Sequence, residues 1–418
     1  MLIINPKRIN EPADLKSFWY NYYAGYSHTF TKNVIESSGL RADGVIFDPW
    51  NGAGTTTLMA SVAGYSSIGL DLNPVMKIIA SAKQATKSDV IALQKQLSKL
   101  TSKIKYKQNE NDALSVWFKS DAIANIRTIE SFILNQAKYF STESKVDSLT
   151  ILQCLMYTAL FNCIRELLKN FIPSNPTWIK RPKSEAEKIS VAWSSIKNRY
   201  KNIVSDMVLG VDASNHTWSS GLAQLVTGTS LNIPLPDNSV DMVLTSPPYC
   251  TRIDYGVATL PELALLAEDG IGEVEQIRRS LMGTTTVPRE IDSHLNFFGD
   301  TCDYFLKNVY GHASKASTTY YYKNLYQYFV SLKKSISEIS RVIKKDAKFI
   351  CVVQDSYYKD IHCNLPRIIE DMSLMYGLFG LEKIEFESKK NMGNLNVKSK
   401  VYRKNNTAFE TVLIFKKG

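Results

Sequence analysis

The chain has 418 residues, of which 44% are hydrophobic and 22% charged, and its formal net charge is +10. This length and apolar content predict a large core built as two lobes, or as one lobe with an insertion. The positive charge suits a polyanionic partner, although a soluble protein rich in lysine has the same balance.

The N-terminal sequence MLIINPKRIN carries charge and proline where a signal peptide needs an apolar run, and no apolar stretch is long enough to span a bilayer. We therefore expect a cytoplasmic protein without a membrane partner. The six cysteines form no CxxC pair, and only five histidines are present. This pattern predicts free thiols and no metal site.

Two short apolar runs near the N-terminus each end in an acid. Residues 44–48 (GVIFD) lead into a glycine-rich turn and a helix-like segment, and residues 67–70 lead to Asp71 and a following Asn-Pro. The order of strand, glycine turn, helix and strand is typical of a nucleotide-binding unit. It predicts two parallel strands joined by a crossover helix.

The pattern then becomes helical before strands return. Apolar residues recur at steps of three and four after Val90, and residues 151–168 are similarly helical, so residues 75–221 are predicted to be a helical insertion. Further strands are predicted at 224–230, 240–246, 348–353, 381–386 and 411–415, with an amphipathic helix at 325–343. The last two strands are expected to pair as an antiparallel edge. The predicted fold is α/β and Rossmann-like, with a mostly parallel doubly wound sheet.

The first chemistry-bearing motif is the segment DPWNGAGTT, which runs from Asp48 to Thr56. Its glycines let a ligand approach the backbone, and the following helix offers its first amides to an anion. A phosphate-binding loop would need a lysine here, and a dinucleotide fingerprint would need glycine where Thr57 stands. Asp71, at the end of the next strand, is placed to accept both ribose hydroxyls of an adenosine ligand.

The second motif is the tetrapeptide Ser246-Pro247-Pro248-Tyr249, directly after the predicted strand 240–246. Prolines have no N–H to donate, so the Ser246 hydroxyl and the Pro247 carbonyl form an acceptor-rich ledge beside the flat ring of Tyr249. Such a ledge can hold a planar amino group and make its nitrogen more nucleophilic. Taken alone, either motif is also compatible with an ordinary turn.

Together the two motifs resemble the DNA N4-cytosine/N6-adenine methyltransferase family, with its DPFxGxGTT and [S/N/D]PPY motifs. The resemblance implies the cofactor S-adenosyl-L-methionine and catalytic roles for Ser246, Pro247, Pro248 and Tyr249. The cofactor-binding residues that it implies are Asp48, Pro49, Trp50, Gly52, Gly54, Thr55 and Asp71, with Ser27 and Phe30 from a weaker N-terminal motif. In relatives the strand before the catalytic motif typically ends in Gly-Asp, and the acid contacts the adenine of the cofactor. This chain has Gly228-Thr229-Ser230 there, so Ser230 is expected to make that contact.

Serine in the first catalytic position favours cytosine N4 as the methyl acceptor, with adenine N6 as the alternative. Cytosine C5 chemistry is excluded, because it needs a Pro-Cys dipeptide and no proline here precedes a cysteine. Methylation of RNA or of a protein glutamine, and an inactive DNA-binding module, also remain open. Without a placed general base the amine proton is expected to leave to solvent, and Asp254 is a speculative acceptor.

The expected partner is double-stranded DNA, with the target base flipped out and stacked on Tyr249. The family resemblance also points to restriction–modification, with a cognate restriction endonuclease as a further partner. We divide the chain into residues 1–74 with the cofactor motifs, the insertion 75–221, and residues 222–418 with the catalytic motif. The insertion is predicted to contact DNA, and residues 256–322, which include Arg278 and Arg279, are a second candidate. Candidate DNA contacts in the insertion are basic and aromatic side chains: Arg165, Lys169, Lys180, Arg181, Lys183, Lys188, Lys197, Arg199, Lys201, Phe171, Trp178, Trp193 and Tyr200.

Overall fold

The computed structural model of the protein describes residues 1–8, 19–22, 24–104, 106, 109–173, 178–212, 222–250, 254–290, 297–388 and 408–418. The α-helices in these ranges are α1 His28–Glu36, α2 Thr55–Val62, α3 Pro74–Lys83, α4 Lys87–Leu97, α5 Ser120–Ile133, α6 Thr142–Ser148, α7 Ile151–Leu167, α8 Trp193–Asp212, α9 Tyr255–Ala258, α10 Leu260–Leu266, α11 Ile271–Ser280, α12 Asp300–Gly311, α13 Tyr322–Val342 and α14 Leu365–Met375. The strands are β1 Val45–Asp48, β2 Ser66–Asp71, β3 Ala223–Thr227, β4 Val240–Thr245, β5 Ile343–Gln354, β6 Ser356–Tyr358, β7 Ile361–Cys363, β8 Leu378–Ser388 and β9 Ala408–Lys417.

A seven-stranded sheet with the order β3-β2-β1-β4-β5-β9-β8 forms the centre of the molecule. Neighbours from β3 to β5 pair in parallel, and β9 pairs antiparallel with both β5 and β8. This confirms the predicted Rossmann-like fold with an antiparallel closing element. The antiparallel strand β9 lies one position inside the edge, because β8 continues outward beyond it.

Helices cover both faces of the sheet, as alternating side chains on its strands require. On one face Ile46, Leu244 and Ile350 pack with α1 and α2. On the other face Phe47 and Val243 pack with α12, α13 and α14. Apolar residues recur along α13 at steps of three and four and form one buried stripe. The sequence pattern predicts this amphipathic helix.

The insertion is helical among its described residues, where the only strand-like contact is an isolated bridge between Phe118 and Ile189. Its helices share one core with α10 and α11, which follow the catalytic motif. Residues 256–280 and the insertion are therefore packed into one helical body, although the sequence separates them.

A buried ionic cluster joins these two parts of the helical body. Arg127 on α5 binds Asp112, at 2.7 Å, and the carbonyl of Leu265 on α10. The Lys145 ammonium, which is fully buried, lies 3.3 Å from Glu130 and 2.7 Å from Glu268. Because each charge has an opposite partner, burial of the whole group is tolerated.

All six cysteines are buried free thiols. Within the described ranges, no helix is both long enough and apolar enough to cross a membrane.

Candidate active site

The two motifs meet at the carboxyl edge of the sheet. Strand β1 ends at Asp48 and its parallel neighbour β4 ends at Thr245, with Phe47 in register with Val243. Ligands of open α/β sheets bind at this edge, where strand ends diverge. A cavity of about 250 Å³ lies there, and both motifs contribute to its wall.

Most of the residues predicted from the sequence line this one cavity. They are Asp48, Pro49, Trp50, Gly52, Thr55, Asp71, Ser230, Ser246, Pro247, Pro248 and Tyr249. The structure therefore brings the predicted cofactor motif, the acid after β2 and the catalytic tetrapeptide together.

Gly54, Ser27 and Phe30 lie behind the cavity wall. Gly54 has φ +80°, and a Cβ there would approach the Ala80 Cβ to 2.7 Å, so this glycine lets α3 pack against the turn. Ser27 caps α1 by accepting the Phe30 N–H at 3.0 Å. The Phe30 side chain is fully buried against Tyr26. In the part of the chain that directly precedes Ser27, the residues that line the cavity are instead Ala24, Gly25 and Tyr26.

The Asp48 carboxylate joins the two strand ends. It accepts hydrogen bonds from the hydroxyls of Thr245 and Thr56, both at 2.5 Å, and from the Trp50 N–H at 3.1 Å. Burial raises the pKa of Asp48 above its usual value, and the bonds from Thr245 and Thr56 oppose that rise. Most of its acceptor capacity is thus used within the protein, where it fixes the catalytic loop beside the glycine turn.

Asp71 holds the other side of the glycine turn. Its two carboxylate oxygens accept the backbone N–H groups of Gly52 and Asn73, each at 2.8 Å. Burial raises the pKa of Asp71 to about 6, although the two N–H bonds favour its charged form. A carboxylate oxygen accepts more than one hydrogen bond, so Asp71 retains capacity for ribose hydroxyls. Lys83 supports the same turn, since its ammonium donates to the Ala53 carbonyl at 2.7 Å.

Two tyrosine hydroxyls fix the backbone of the catalytic tetrapeptide. The Tyr249 N–H donates to the Tyr255 hydroxyl at 3.0 Å, and the Tyr328 hydroxyl donates to the Pro248 carbonyl at 2.8 Å. Burial raises the pKa of Tyr255 to about 12, so its hydroxyl stays protonated. Tyr255 lies only six residues after Tyr249 in the sequence, whereas Tyr328 was not identified because only the fold brings α13 to this loop.

The two acceptors of the predicted ledge remain available. Among the described residues, neither the Ser246 hydroxyl nor the Pro247 carbonyl has a hydrogen-bond partner. By contrast, the backbone groups of Pro248 and Tyr249 on the same loop are occupied. The ledge therefore presents one hydroxyl and one carbonyl oxygen to whatever enters the cavity.

Ser230, which the family resemblance predicts to contact the cofactor, lies in the cavity wall and is buried. Its hydroxyl lies 2.8 Å from the hydroxyl of Ser335 on α13. A serine in this position offers a neutral contact, which is weaker than one made by a carboxylate.

Other sequence-based assignments need correction. Asp254, considered as a proton acceptor, caps α9 and binds Arg278 and Thr285, and it does not line the cavity. Arg165, considered as a DNA contact, instead bonds to Glu262 and to the Ala258 carbonyl. The Tyr200 side chain is fully buried and donates to the Met156 carbonyl, so neither its ring nor Arg165 forms an open DNA-binding surface.

These residues fit S-adenosyl-L-methionine, because an acceptor for ribose, a glycine turn and an amine-binding ledge share one cavity. No group of histidine, cysteine or acidic side chains in the described ranges could hold a metal ion. The sheet order is that of a Rossmann-like fold, and this cavity lies where such folds bind their ligands.

Comparison with curated proteins confirms the resemblance predicted from the motifs. The chain is 26% identical over 286 residues to the Type II methyltransferase M.BsoBI of Geobacillus stearothermophilus, covering 64% of this chain and 55% of that protein. It is 23% identical over 371 residues to M.MvaI of Kocuria varians, covering 80% and 75% respectively. The chain is thus related to Type II methyltransferases, and the matched region spans little more than half of M.BsoBI. No family model matches the chain.

Comparison with solved structures finds matches of low similarity. A DNA modification methylase of Thermus thermophilus, complexed with S-adenosyl-L-methionine, has 16% identity over 44% of this chain and 50% of that chain, with a TM-score of 0.22. The YcgJ protein of Bacillus subtilis has 11% identity over 94% of this chain and 100% of its own, with a TM-score of 0.32.

Proposed function

We propose that the protein is a site-specific DNA methyltransferase that methylates the exocyclic N4 of a cytosine flipped out of double-stranded DNA. The observation that supports this most directly is the pair of unoccupied acceptors, Ser246 and Pro247, in the cavity that also contains Asp71. On the same proposal a cognate restriction endonuclease is the further partner.

The ledge is suited to an amino group with two hydrogens. The lone pair of such an amine on a nucleobase is delocalised into the ring, which makes it a poor nucleophile. Hydrogen bonds from its two hydrogens to the Ser246 hydroxyl and the Pro247 carbonyl favour a pyramidal nitrogen with a localised lone pair. The Tyr249 ring supplies a stacking face, and the tyrosine bonds that fix this loop prepare it before the base arrives.

When bound, S-adenosyl-L-methionine supplies an electrophilic methyl group on a sulfonium. Asp71 and the glycine turn would hold the nucleoside end, next to the ledge. Transfer would form a bond between the methyl carbon and N4 while the carbon–sulfur bond breaks and the sulfur leaves as a neutral thioether. The proton lost from the amine would pass to water, since Asp254 is not in the cavity wall.

Mass spectrometry of nucleosides from methylated DNA tests the acceptor atom. We expect N4-methylcytosine. If N6-methyladenine alone were found, the methyl acceptor would be adenine and the cytosine assignment would be wrong. Ser246→Ala should lower the rate by about 100- to 1000-fold with little change in cofactor affinity. Ser205→Ala, which removes an exposed hydroxyl on α8, is the matched control.

Calorimetry with S-adenosyl-L-methionine separates an enzyme from an inactive DNA-binding module. An active enzyme binds the cofactor, whereas the absence of binding would support the inactive module. Methylation of RNA or protein glutamine without methylated DNA would overturn the DNA assignment. Single-molecule sequencing of DNA from cells expressing the protein would then report the methylated base and its sequence context.

A further inference from the structure

Part of the cavity wall comes from neither motif. Residues 279–284, which run from the end of α11, line the same cavity as Asp71 and the catalytic tetrapeptide. We call this segment the lip.

The lip is held on both sides by named contacts. Arg278 and the Thr285 hydroxyl, which flank it, bind the same Asp254 carboxylate oxygen at 3.1 and 2.8 Å. On the α13 side, Asn324 donates to the Thr284 carbonyl at 2.8 Å. The lip therefore has a defined position relative to the catalytic loop, because Asp254 begins α9 just after that loop.

The two consecutive arginines have different surroundings. Arg278 is mostly buried and forms ion pairs with Asp254 and Glu275. Arg279 is exposed at the cavity, and no acidic side chain in the described ranges pairs with it. The acids of the cavity wall are committed elsewhere, since Asp48 binds hydroxyl groups and Asp71 binds backbone N–H groups.

We propose that Arg279 binds a backbone phosphate of the DNA strand that carries the flipped nucleotide. The inference rests on the proposed function, and it identifies one contact that holds the substrate. A base seated on Tyr249 brings its own flanking phosphates to the mouth of the cavity. A guanidinium held there without an acid can form two hydrogen bonds to phosphate and release a bound counterion.

The salt dependence of DNA binding measures this contact. The probe is a fluorescent duplex that the wild-type protein methylates, with its dissociation constant measured across a range of salt concentrations. For Arg279→Gln we expect about tenfold weaker binding and a slope of log K against log salt smaller by about 0.9. Arg279→Lys should retain the slope, because it keeps the charge.

Arg41→Gln is the matched control. Arg41 precedes β1 and so lies at the amino ends of the parallel strands, opposite the end that forms the cavity. Its side chain is 85% exposed beside Asp43. Its replacement should leave the slope unchanged, and calorimetry should show unchanged cofactor affinity for all three variants, which also establishes that they are folded.

An unchanged slope in Arg279→Gln would overturn the inference while leaving the proposed function intact. Reduced cofactor affinity with an unchanged slope would instead assign the guanidinium to the cofactor carboxylate. If the wild-type protein methylated no DNA duplex, the proposed function would be overturned, and this inference with it.

Discussion

Asp71 is the cavity residue whose charge responds to pH near neutrality. Since burial raises its pKa to about 6, its carboxylate is progressively protonated as the pH falls below that value. A protonated carboxyl loses acceptor capacity toward ribose, so cofactor affinity should fall with decreasing pH, by up to about tenfold per unit. Calorimetry between pH 5 and 7.5 measures this fall.

Asp71→Asn provides the comparison for that titration. The amide keeps the size of the side chain but offers one acceptor oxygen, so affinity should be weaker at pH 7.5 and nearly independent of pH. A wild-type profile that stays flat through pH 6 would show that the Asp71 charge does not contribute to cofactor binding.

At the residue scale, the sequence predicts chemistry better than it predicts supporting contacts. Ser246 and Asp71 could be identified because each follows a predicted strand, and parallel strand ends meet at one edge. Tyr328 could not, since its partner Pro248 is 80 residues away and a tyrosine in an apolar helical stripe resembles any core residue. Asp48 was predicted to contact the cofactor, but the hydrogen bonds to its carboxylate come from the protein itself.

The catalytic loop depends on tyrosine hydroxyls as well as on its own sequence. Tyr328→Phe removes the donor to the Pro248 carbonyl and little else, because the ring stays in the core. We expect a reduced turnover number, unchanged cofactor affinity, and a loss of stability of about 1 kcal/mol.

Tyr304→Phe is the control, since its side chain is 72% exposed on α12. Steady-state kinetics and urea unfolding of both variants give the comparison. Turnover in Tyr328→Phe equal to that of Tyr304→Phe would show that the ledge does not need this support.

At the scale of the elements, the Thr245 hydroxyl ties β4 to β1 through Asp48. Thr245→Val keeps the shape of the side chain but takes a hydrogen bond from a buried carboxylate. This should lower the free energy of unfolding by about 1–3 kcal/mol.

The chain contains a control of the same type at another strand. Thr411 on β9 is equally buried, and its hydroxyl has no hydrogen-bond partner in the structure. Thr411→Val should therefore be neutral or stabilising. Urea unfolding measured by circular dichroism compares the two, and equal losses would contradict the role of the bond to Asp48.

Strands and single helices were largely predictable because their periodicity is local. The strands predicted at 240–246 and 348–353 correspond to β4 and β5, and α13 follows its predicted stripe. The shared core of the insertion with α10 and α11 was not predictable, because periodicity shows which face of a helix is buried but not its partner. Arg165 illustrates the difference, since its acid partner Glu262 lies 97 residues away.

At the scale of the whole molecule, the ionic cluster joins the insertion to the residues that follow the catalytic motif. Lys145 on α6 contacts Glu130 of α5 and Glu268, which follows α10. Lys145→Met would remove the positive charge that lies beside these two carboxylates in the protein interior. We expect a loss of about 3–5 kcal/mol, within a single unfolding transition, since the helical core is shared.

The pH dependence of that loss identifies its cause. Burial by itself would raise the pKa of Glu130, but the charges of Lys145 and Arg127 outweigh it and lower that pKa. The wild-type protein therefore keeps this stabilisation above the ordinary glutamate pKa and loses it as the pH falls toward the lowered value. Without Lys145 the pKa of Glu130 rises, so the difference between variant and wild type should shrink toward pH 4.

The exposed pair of Lys32 and Glu36 on α1 supplies the control. Lys32→Met should change stability by less than about 0.5 kcal/mol at any pH, because exposed ion pairs contribute little. Urea unfolding at pH 7.5 and at pH 4.5 compares the variants. A loss in Lys145→Met that is the same at both pH values would reflect packing rather than charge, and two separate transitions would show that the insertion unfolds independently of the sheet.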